Sequence, residues 1–212
     1  MPITTNLTTQ EINKIQIDEG VLILDYGETT ERPLLPCRGG GEFSATATVR
    51  DIEFDGRVGK TQGLQAIDDQ AASLKVTIIN MSQQNLALAM PFCRMYNAQG
   101  TEITASLAAE PATIKNPKTG IIPDTAYLKN VTMFAKLIDG TYKKITIHNP
   151  MHEGGISAKA TQKAEGELAF EFMAHEKTSE LDGDLWEVTE ISSFTLRQVV
   201  NNNSGGTSGT TT

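Results

Sequence analysis

The chain has 212 residues, with 26 acidic and 18 basic side chains and a formal net charge of −8. This charge argues against a protein that holds nucleic acid by its phosphates, because such binding requires clustered Lys and Arg. Apolar residues make up 39% of the chain and aromatic residues 6%. These fractions indicate one strand-rich domain with a thin core.

The first residues predict neither export nor a membrane anchor. They lack the basic and apolar segments of a signal peptide, and no later stretch approaches the ~18 apolar residues of a membrane span. Cys37 and Cys93 lie far apart and form no CxxC pair. We therefore expect two reduced thiols in a protein made in a cytosol.

The chain begins with a predicted arm and a predicted hairpin. Residues 1–10 are rich in Thr and Asn and predict a flexible arm or an extended strand exchanged between subunits. The isoleucines of residues 12–17 and the apolar residues 21–26 predict two strands joined by an Asp-Glu-Gly turn. Residues 28–41 contain two prolines and three glycines, so they predict a loop.

The most regular stretch of the first half consists of a strand, a loop, a strand and a helix. Apolar and polar residues alternate over residues 43–50 and again over 73–78, which predicts two strands. Between them, an Asp55-Gly56 turn opens a glycine-rich loop. Ser82 is the predicted N-cap of the short helix that closes the unit.

Three motifs in this stretch carry a family resemblance: RDIEFDG, GKTQG and the helix after the second strand. Through them, residues 20–91 resemble the front half of the major tail proteins, or tail tube proteins, of phages and prophages of Gram-positive bacteria. The rest of the chain is similar to that family by strand order only. The resemblance depends on these residues: Arg50, Asp51, Phe54, Asp55, Gly56, Gly59, Lys60, Gly63, Asn85 and Pro91.

The middle of the chain predicts a long loop. Residues 91–125 contain several prolines and little periodicity, with short strands predicted at residues 94–96 and 102–105. A loop of this length inside a compact domain is usually functional or ordered by a partner.

The second half predicts further strands. Residues 127–138 and 142–148 flank Asp139-Gly140, the strongest hairpin signal in the chain. Residues 168–173 alternate between apolar and polar side chains, and residues 186–192 and 194–200 predict two more strands.

About nine or ten strands and no alternation of strands with helices predict a mainly β fold. We expect an antiparallel β-sandwich or barrel over residues 11–200, with one short packed helix and long loops. Residues 201–212 are of low complexity and predict a disordered tail.

One charge pattern is a candidate functional surface. Glu165, Glu167 and Glu171 are expected on the polar side of a strand whose other side is apolar. If the protein forms rings, this acidic side could line the bore; the alternative is an exposed outer surface. Periodicity does not choose between the two, because it separates core from surface and not lumen from exterior.

No catalytic, metal or cofactor site is predicted. Gly59-Lys60-Thr61 invites a phosphate-loop interpretation, but Phe54 stands where that motif needs Gly, and Gly63 follows where its helix should begin. His148, His152 and Glu153 lie among Pro and Gly residues that break a helix, so a polar loop is preferred to a metal site. The sequence also lacks a nucleophile elbow, and we expect a protein that is not an enzyme.

The resemblance implies a structural virion protein. Tail tube proteins form homohexameric rings in which each subunit gives strands to one inner barrel, and the rings stack around the tape measure protein. It also implies contacts with tail tip and tail terminator proteins, DNA as passing cargo, no membrane, and assembly in the host cytoplasm. The arm, residues 28–41 and residues 91–125 are the expected ring-to-ring contacts, ordered on assembly.

Two other classes remain as alternatives. One is another β-rich assembly module, such as the tube protein of a contractile tail or a head–tail joining protein. The other is a carbohydrate-binding β-sandwich. Such proteins present aromatic platforms, so a content of only one Trp and four Tyr argues mildly against this class.

Overall fold

The computed structural model describes residues 9–17, 20–56, 59–103, 110–157, 165–179 and 183–195. These residues form twelve strands and two short α-helices, with a 3₁₀ turn at Asp124–Ala126. The helices are α1 (Thr9–Asn13) and α2 (Gln83–Leu88). The strands are β1 (Val21–Leu24), β2 (Arg32–Pro33), β3 (Cys37–Asp51), β4 (Gln65–Ile78), β5 (Arg94–Tyr96), β6 (Glu102–Ile103), β7 (Thr113–Lys115), β8 (Asn130–Lys136), β9 (Tyr142–His148), β10 (Met151–His152), β11 (Leu168–Met173) and β12 (Trp186–Ile191).

Two antiparallel sheets form the body of the protein. One has the strand order β12-β9-β8-β1-β2 and the other the order β10-β11-β4-β3. The two sheets share one apolar core, so the predicted mainly β, antiparallel sandwich is confirmed. The core includes Leu22, Leu24, Leu74, Val76, Ile78, Val131, Met133, Ile147, Phe170 and Phe172.

Strand β11 shows why these residues form a sandwich. Its apolar residues Leu168, Phe170 and Phe172 are buried, while Ala169 and Glu171 between them are exposed. This is the period of two expected of a strand with one covered side. The pairing of β11 with β4 then places Phe172 opposite Leu74.

The predicted hairpin at Asp139-Gly140 is confirmed. It joins β8 to β9, and Gly140 has a φ of +85°, which glycine adopts without a steric penalty.

Helix α2 begins as predicted. The Ser82 Oγ accepts a hydrogen bond from the Asn85 backbone N–H at 3.3 Å, which satisfies one of the free N–H groups at a helix start. The buried Asn85 side chain accepts from the Arg32 guanidinium at 2.8 Å. This hydrogen bond between Arg32 and Asn85 links α2 to β2. Burial lowers the pKa of Arg32.

The long loop predicted over residues 91–125 is wrong for its described part. Strand β5 pairs with both β6 and β7, and this small sheet packs around Ala87, Cys93 and Met95. The strand at residues 94–96 is confirmed. The strand predicted at residues 102–105 is present in its described part as β6 (Glu102–Ile103). β7 was missed, because a strand of three residues is too short to show periodicity. Residues 104–109 lie outside the described residues.

The hairpin predicted between residues 12–17 and 21–26 is also wrong. Residues 9–13 form α1, Gln16 bridges to Leu137, and β1 pairs with β8 and β2 instead. The isoleucines of this segment are more than a third exposed, so their pattern does not mark a buried strand. Residues 1–8 of the predicted arm lie outside the described residues.

The strand predicted at residues 194–200 does not include Phe194. Its ring stacks on Phe134 with centroids 4.2 Å apart, and so covers part of the outer side of the five-stranded sheet. Residues 196–200 and the predicted tail 201–212 lie outside the part that the structure describes.

Strands β3 and β4 are much longer than the strands predicted at residues 43–50 and 73–78. They continue past the second layer as a two-stranded ribbon, which we define as residues 44–56 and 59–71. Every residue from Ser44 to Arg50 is exposed. The ribbon extends about 25 Å beyond the body, at ~3.3 Å per strand residue.

The described helices are too short and too polar to cross a lipid bilayer.

Candidate assembly surfaces

One side of the ribbon continues the core layer without a second layer over it. Phe43 pairs with Leu74 at the edge of the core, and further out Val49 pairs with Ile67 on the same side. Val49 is 54% exposed and Ile67 is 61% exposed. Because the removal of apolar surface from water is favourable, this side of the ribbon is a candidate docking surface.

Most residues of the tail-protein motifs lie at the far end of the ribbon. The Arg50 Nε donates to both carboxylate oxygens of Asp68, at 2.9 and 3.1 Å. The Asp51 carboxylate accepts from the Gln65 side chain at 2.9 Å. These contacts hold the two strands together where no second layer supports them.

Glycines turn the chain at this end. Gly56 has a φ of +89° and Gly63 a φ of +84°, values that other residues adopt only with strain. Lys60 lies 3.9 Å from the Asp51 carboxylate, and the segment that follows Gly59 leads into β4 and not into a helix.

The remaining motif residues lie in the body or carry a side chain into solvent. Asn85 is buried in α2, and Pro91 is buried where the chain enters the small sheet. Phe54 and Asp55 are exposed at the far end of the ribbon, with the Phe54 side chain 55% exposed. The motif residues are therefore divided between the far end of the ribbon and the body.

Among the described strands, the edge of β3 is open. β3 is the last strand of its sheet, and along its 15 residues it pairs on one side only within the described chain. An open edge presents unpaired N–H and C=O groups to any strand that approaches. β12 is a last strand of the five-stranded sheet. The ring of Trp186 on β12 contacts the ring of Phe43 on β3, with centroids 5.6 Å apart.

The outer side of the four-stranded sheet carries paired charges. Glu42, Lys75 and Glu171 lie opposite one another on three neighbouring strands, and the Lys75 Nζ is 3.3 Å from Glu171. Arg38 contacts both Glu165 and Glu167. We call these six residues the charged face.

The predicted acidic strand needs a correction here. β11 begins at Leu168, so Glu165 and Glu167 precede the strand and only Glu171 lies in it. The charged face holds four carboxylates and two cations, a net charge of −2, and each cation lies between two acids. The concavity over this face has a volume of about 900 Å³. Whether the face lines a bore stays a prediction.

His148, His152 and Glu153, which were weighed as a metal set, have different surroundings and different hydrogen-bond partners. His152 is buried in β10, and its Nδ1 lies 3.0 Å from the Glu171 backbone N. Glu153 points to the His175 imidazole at 3.2 Å, and His148 ends β9. No three His, Cys, Asp or Glu side chains among the described residues are arranged to hold a metal ion.

Comparison of the chain with models of known protein families gives no match, and comparison with curated proteins gives none. The likeness to tail tube proteins therefore stays a prediction made from the motifs.

Proposed function

We propose that this protein is a structural subunit that assembles with copies of itself into stacked rings, as the tail tube of a phage. The observation that carries the proposal is the long open edge of β3 together with the uncovered apolar side of the ribbon. A monomer gains nothing from holding 15 strand residues at an edge, and proteins that stay monomeric usually shorten or block such edges.

Ring closure would remove the open edges. A strand from the next copy satisfies the free N–H and C=O groups of β3, and a closed ring leaves no first or last subunit. The same contact made between every neighbouring pair fixes the number of copies and the diameter of the ring.

The charged face is the surface that we assign to the bore. Arg38 is paired with Glu165 and Glu167, and Lys75 with Glu171. A passing DNA phosphate therefore meets no free cation among these residues, and the net charge of −2 gives weak repulsion. In this function DNA is cargo, the tape measure protein occupies the bore, and tail tip and tail terminator proteins contact the two ends of the tube in the virion.

The test compares two single substitutions on opposite sides of the ribbon. Val49→Lys places a charge on the apolar side, and Thr48→Lys places the same charge on the polar side, so the net charge changes equally. We expect wild type and Thr48→Lys to form rings or tubes in negative-stain electron microscopy and sedimentation velocity, and Val49→Lys to remain monomeric.

Assembly of all three proteins would contradict the role of the ribbon. A wild-type protein that sediments as a monomer at every concentration tested would contradict the proposed function itself.

A further inference from the structure

The sequence contains three Asp-Gly pairs, at residues 55–56, 139–140 and 182–183. In such a pair the aspartate can rearrange, because glycine has no side chain to keep its backbone nitrogen away from the preceding carboxyl group. The structure describes the first two pairs, which lie in connections between paired antiparallel strands. Residue 182 lies outside the described residues, so the comparison is between Asp55-Gly56 and Asp139-Gly140.

The two pairs are closely matched in exposure and in backbone conformation. All four residues are exposed. The φ angle is +89° at Gly56 and +85° at Gly140. A difference in reactivity between the two aspartates therefore has to come from the hydrogen bonds around them.

Both reacting groups of the Asp139-Gly140 pair are held. The Asp139 Oδ1 accepts hydrogen bonds from the hydroxyl and, at 2.9 Å, from the backbone N–H of Thr141. The Asp139 Oδ2 lies 3.3 Å from the Lys14 ammonium. The Gly140 N–H donates to the Leu137 carbonyl at 3.1 Å, so the glycine nitrogen is also fixed in place.

The hydrogen bonds from Thr141 also make the Asp139 carboxyl less reactive. They lower the pKa of Asp139, with the hydroxyl of Thr141 as the largest cause, so this carboxyl is ionised down to lower pH. An ionised carboxylate is a poor electrophile, because a nucleophile that attacks its carbon has no hydroxyl group to expel as water.

The Asp55-Gly56 pair has none of these restraints. Within the described part of the chain, the Asp55 carboxylate has no hydrogen bond and no ion pair, and the Gly56 N–H has no acceptor. The carboxyl group of Asp55 can therefore turn towards the Gly56 nitrogen without breaking a contact.

We propose that Asp55 is a site of spontaneous isoaspartate formation in the folded protein. The Gly56 nitrogen attacks the Asp55 Cγ, and the proton of that nitrogen leaves with the carboxyl hydroxyl as water, which closes a succinimide ring. Water then adds to one of the two ring carbonyls. Opening at Cγ restores aspartate, and opening at the main-chain carbonyl carbon gives isoaspartate. Water is released once and taken up once, so no other reactant is needed, and the charge of the product is that of the aspartate.

The product changes the far end of the ribbon. In isoaspartate the main chain runs through Cβ and Cγ, so the turn gains one main-chain carbon, and the α-carboxylate becomes the free acid. This acid is the group that protein-repair methyltransferases esterify with the methyl group of S-adenosylmethionine. The inference therefore assigns Asp55 as an accessible substrate for that class of enzyme, and it does not depend on self-assembly.

The experiment follows both aspartates in one sample. Dilute, folded wild-type protein is kept in mildly acidic water enriched in heavy oxygen, below its unfolding temperature, and its peptides are analysed by mass spectrometry. Each passage through the succinimide introduces heavy oxygen, and electron-transfer fragmentation separates isoaspartate from aspartate. We expect isoaspartate at Asp55 to exceed that at Asp139 by on the order of 10-fold or more, because hydrogen bonds to a carboxylate must first be broken at Asp139.

Two variants test the cause. Asp55→Glu keeps the charge but has one carbon too many for a succinimide, so uptake of heavy oxygen at this position should disappear while that at Asp139 is unchanged. Thr141→Val removes the hydroxyl that donates to Asp139, and isoaspartate at Asp139 should rise while that at Asp55 is unchanged. In urea, where the hydrogen bonds are lost, the two aspartates of the wild type should react at similar rates.

Equal amounts of isoaspartate at Asp55 and Asp139 in the folded protein would overturn the inference. A ratio that is the same in the folded protein and in urea would also overturn it, because the fold would then have no part in the difference. Isoaspartate at Asp55 without uptake of heavy oxygen would exclude the succinimide. None of these results bears on the proposed assembly, which is tested by the ribbon variants.

Discussion

The same two strands are core at one end and surface at the other. In the body, β3 and β4 lie under the five-stranded sheet, and Leu74 is fully buried. In the ribbon β3 alternates as β4 does in the body, and the two strands stay paired, yet Val49 and Ile67 remain more than half exposed. The alternation of residues 43–50 is like that of residues 73–78, so the difference in burial is made by the layer that covers one stretch and not the other.

This difference means that the ribbon depends on contacts between its own two strands, whereas the body also has a packed core. A two-stranded ribbon is only marginally stable in water, and here Arg50 and Asp68 form an ion pair across it where the body has apolar packing. A surface ion pair of this kind contributes ~0–1 kcal/mol, far less than a buried aromatic side chain. The missing stabilisation is what a second copy would supply.

The largest expected contrast is between truncation of a core residue and truncation of a ribbon residue. Phe172→Ala removes a fully buried ring and should lower the free energy of unfolding by ~3–5 kcal/mol. Ile67→Ala removes an exposed side chain and should change it by about 0.5 kcal/mol or less. Urea denaturation of the monomer measures both, and a loss above about 2 kcal/mol for Ile67→Ala would show that the monomer already covers the ribbon.

A smaller contrast is expected between two glycines. A Cβ at Gly41 would lie 2.7 Å from the Met133 Sδ and 2.8 Å from a methyl group of Leu22, because β3 approaches the other sheet closely there. Gly41→Ala should therefore destabilise the fold by ~1–3 kcal/mol.

Gly59→Ala is the matched control, since a Cβ there has no neighbour within 4 Å in the described chain. Equal melting temperatures of the two variants would contradict the close approach of the sheets at Gly41.

The smallest expected effect is on the pH dependence of stability, through the ion pair between Lys144 of β9 and Glu187 of β12. The Lys144 ammonium, 2.8 Å from Glu187, lowers the pKa of that carboxyl. A lowered pKa in the folded state stabilises the fold above the unfolded pKa, ~4.3 for Glu, and this stabilisation is lost as pH falls through the folded value. Because Glu187 is nearly half exposed, solvent screening keeps the effect below ~1 kcal/mol.

Glu187→Gln should thus flatten the fall in stability between about pH 5 and pH 3, as measured by urea midpoints. Glu176→Gln, at an exposed acid outside the strands, should leave the fall unchanged. An identical pH profile for Glu187→Gln and wild type would show that the ion pair does not contribute in solution.

Local patterns predicted the elements whose cause is local. Ser82 caps α2, Asp139-Gly140 turns the chain between β8 and β9, and the alternation of β11 gives its buried side, all from residues within a few positions of each other. The hairpin predicted between residues 12–17 and 21–26 was wrong because β1 pairs with strands about 10 and 110 residues further along the chain. The local residue pattern carries no information about such distant pairing.

The candidate surfaces also include some residues that local patterns predicted and others that only the structure identified. Glu171 and the far end of the ribbon could be named from alternation and glycine turns. The neutralisation of Arg38 by Glu165 and Glu167 and the open edge of β3 needed the tertiary structure. Charges that lie far apart in sequence acquire partners only when the sheets form.

The sequence by itself determined that this protein is an antiparallel, strand-rich sandwich or barrel without a helical layer, because side-chain alternation and turn residues act over short distances. Only the tertiary structure decided which part of an alternating strand is core, which edge stays open and which charges remain unpaired. Those properties depend on which strands become neighbours, and burial is decided by what lies above a side chain rather than by the residues beside it.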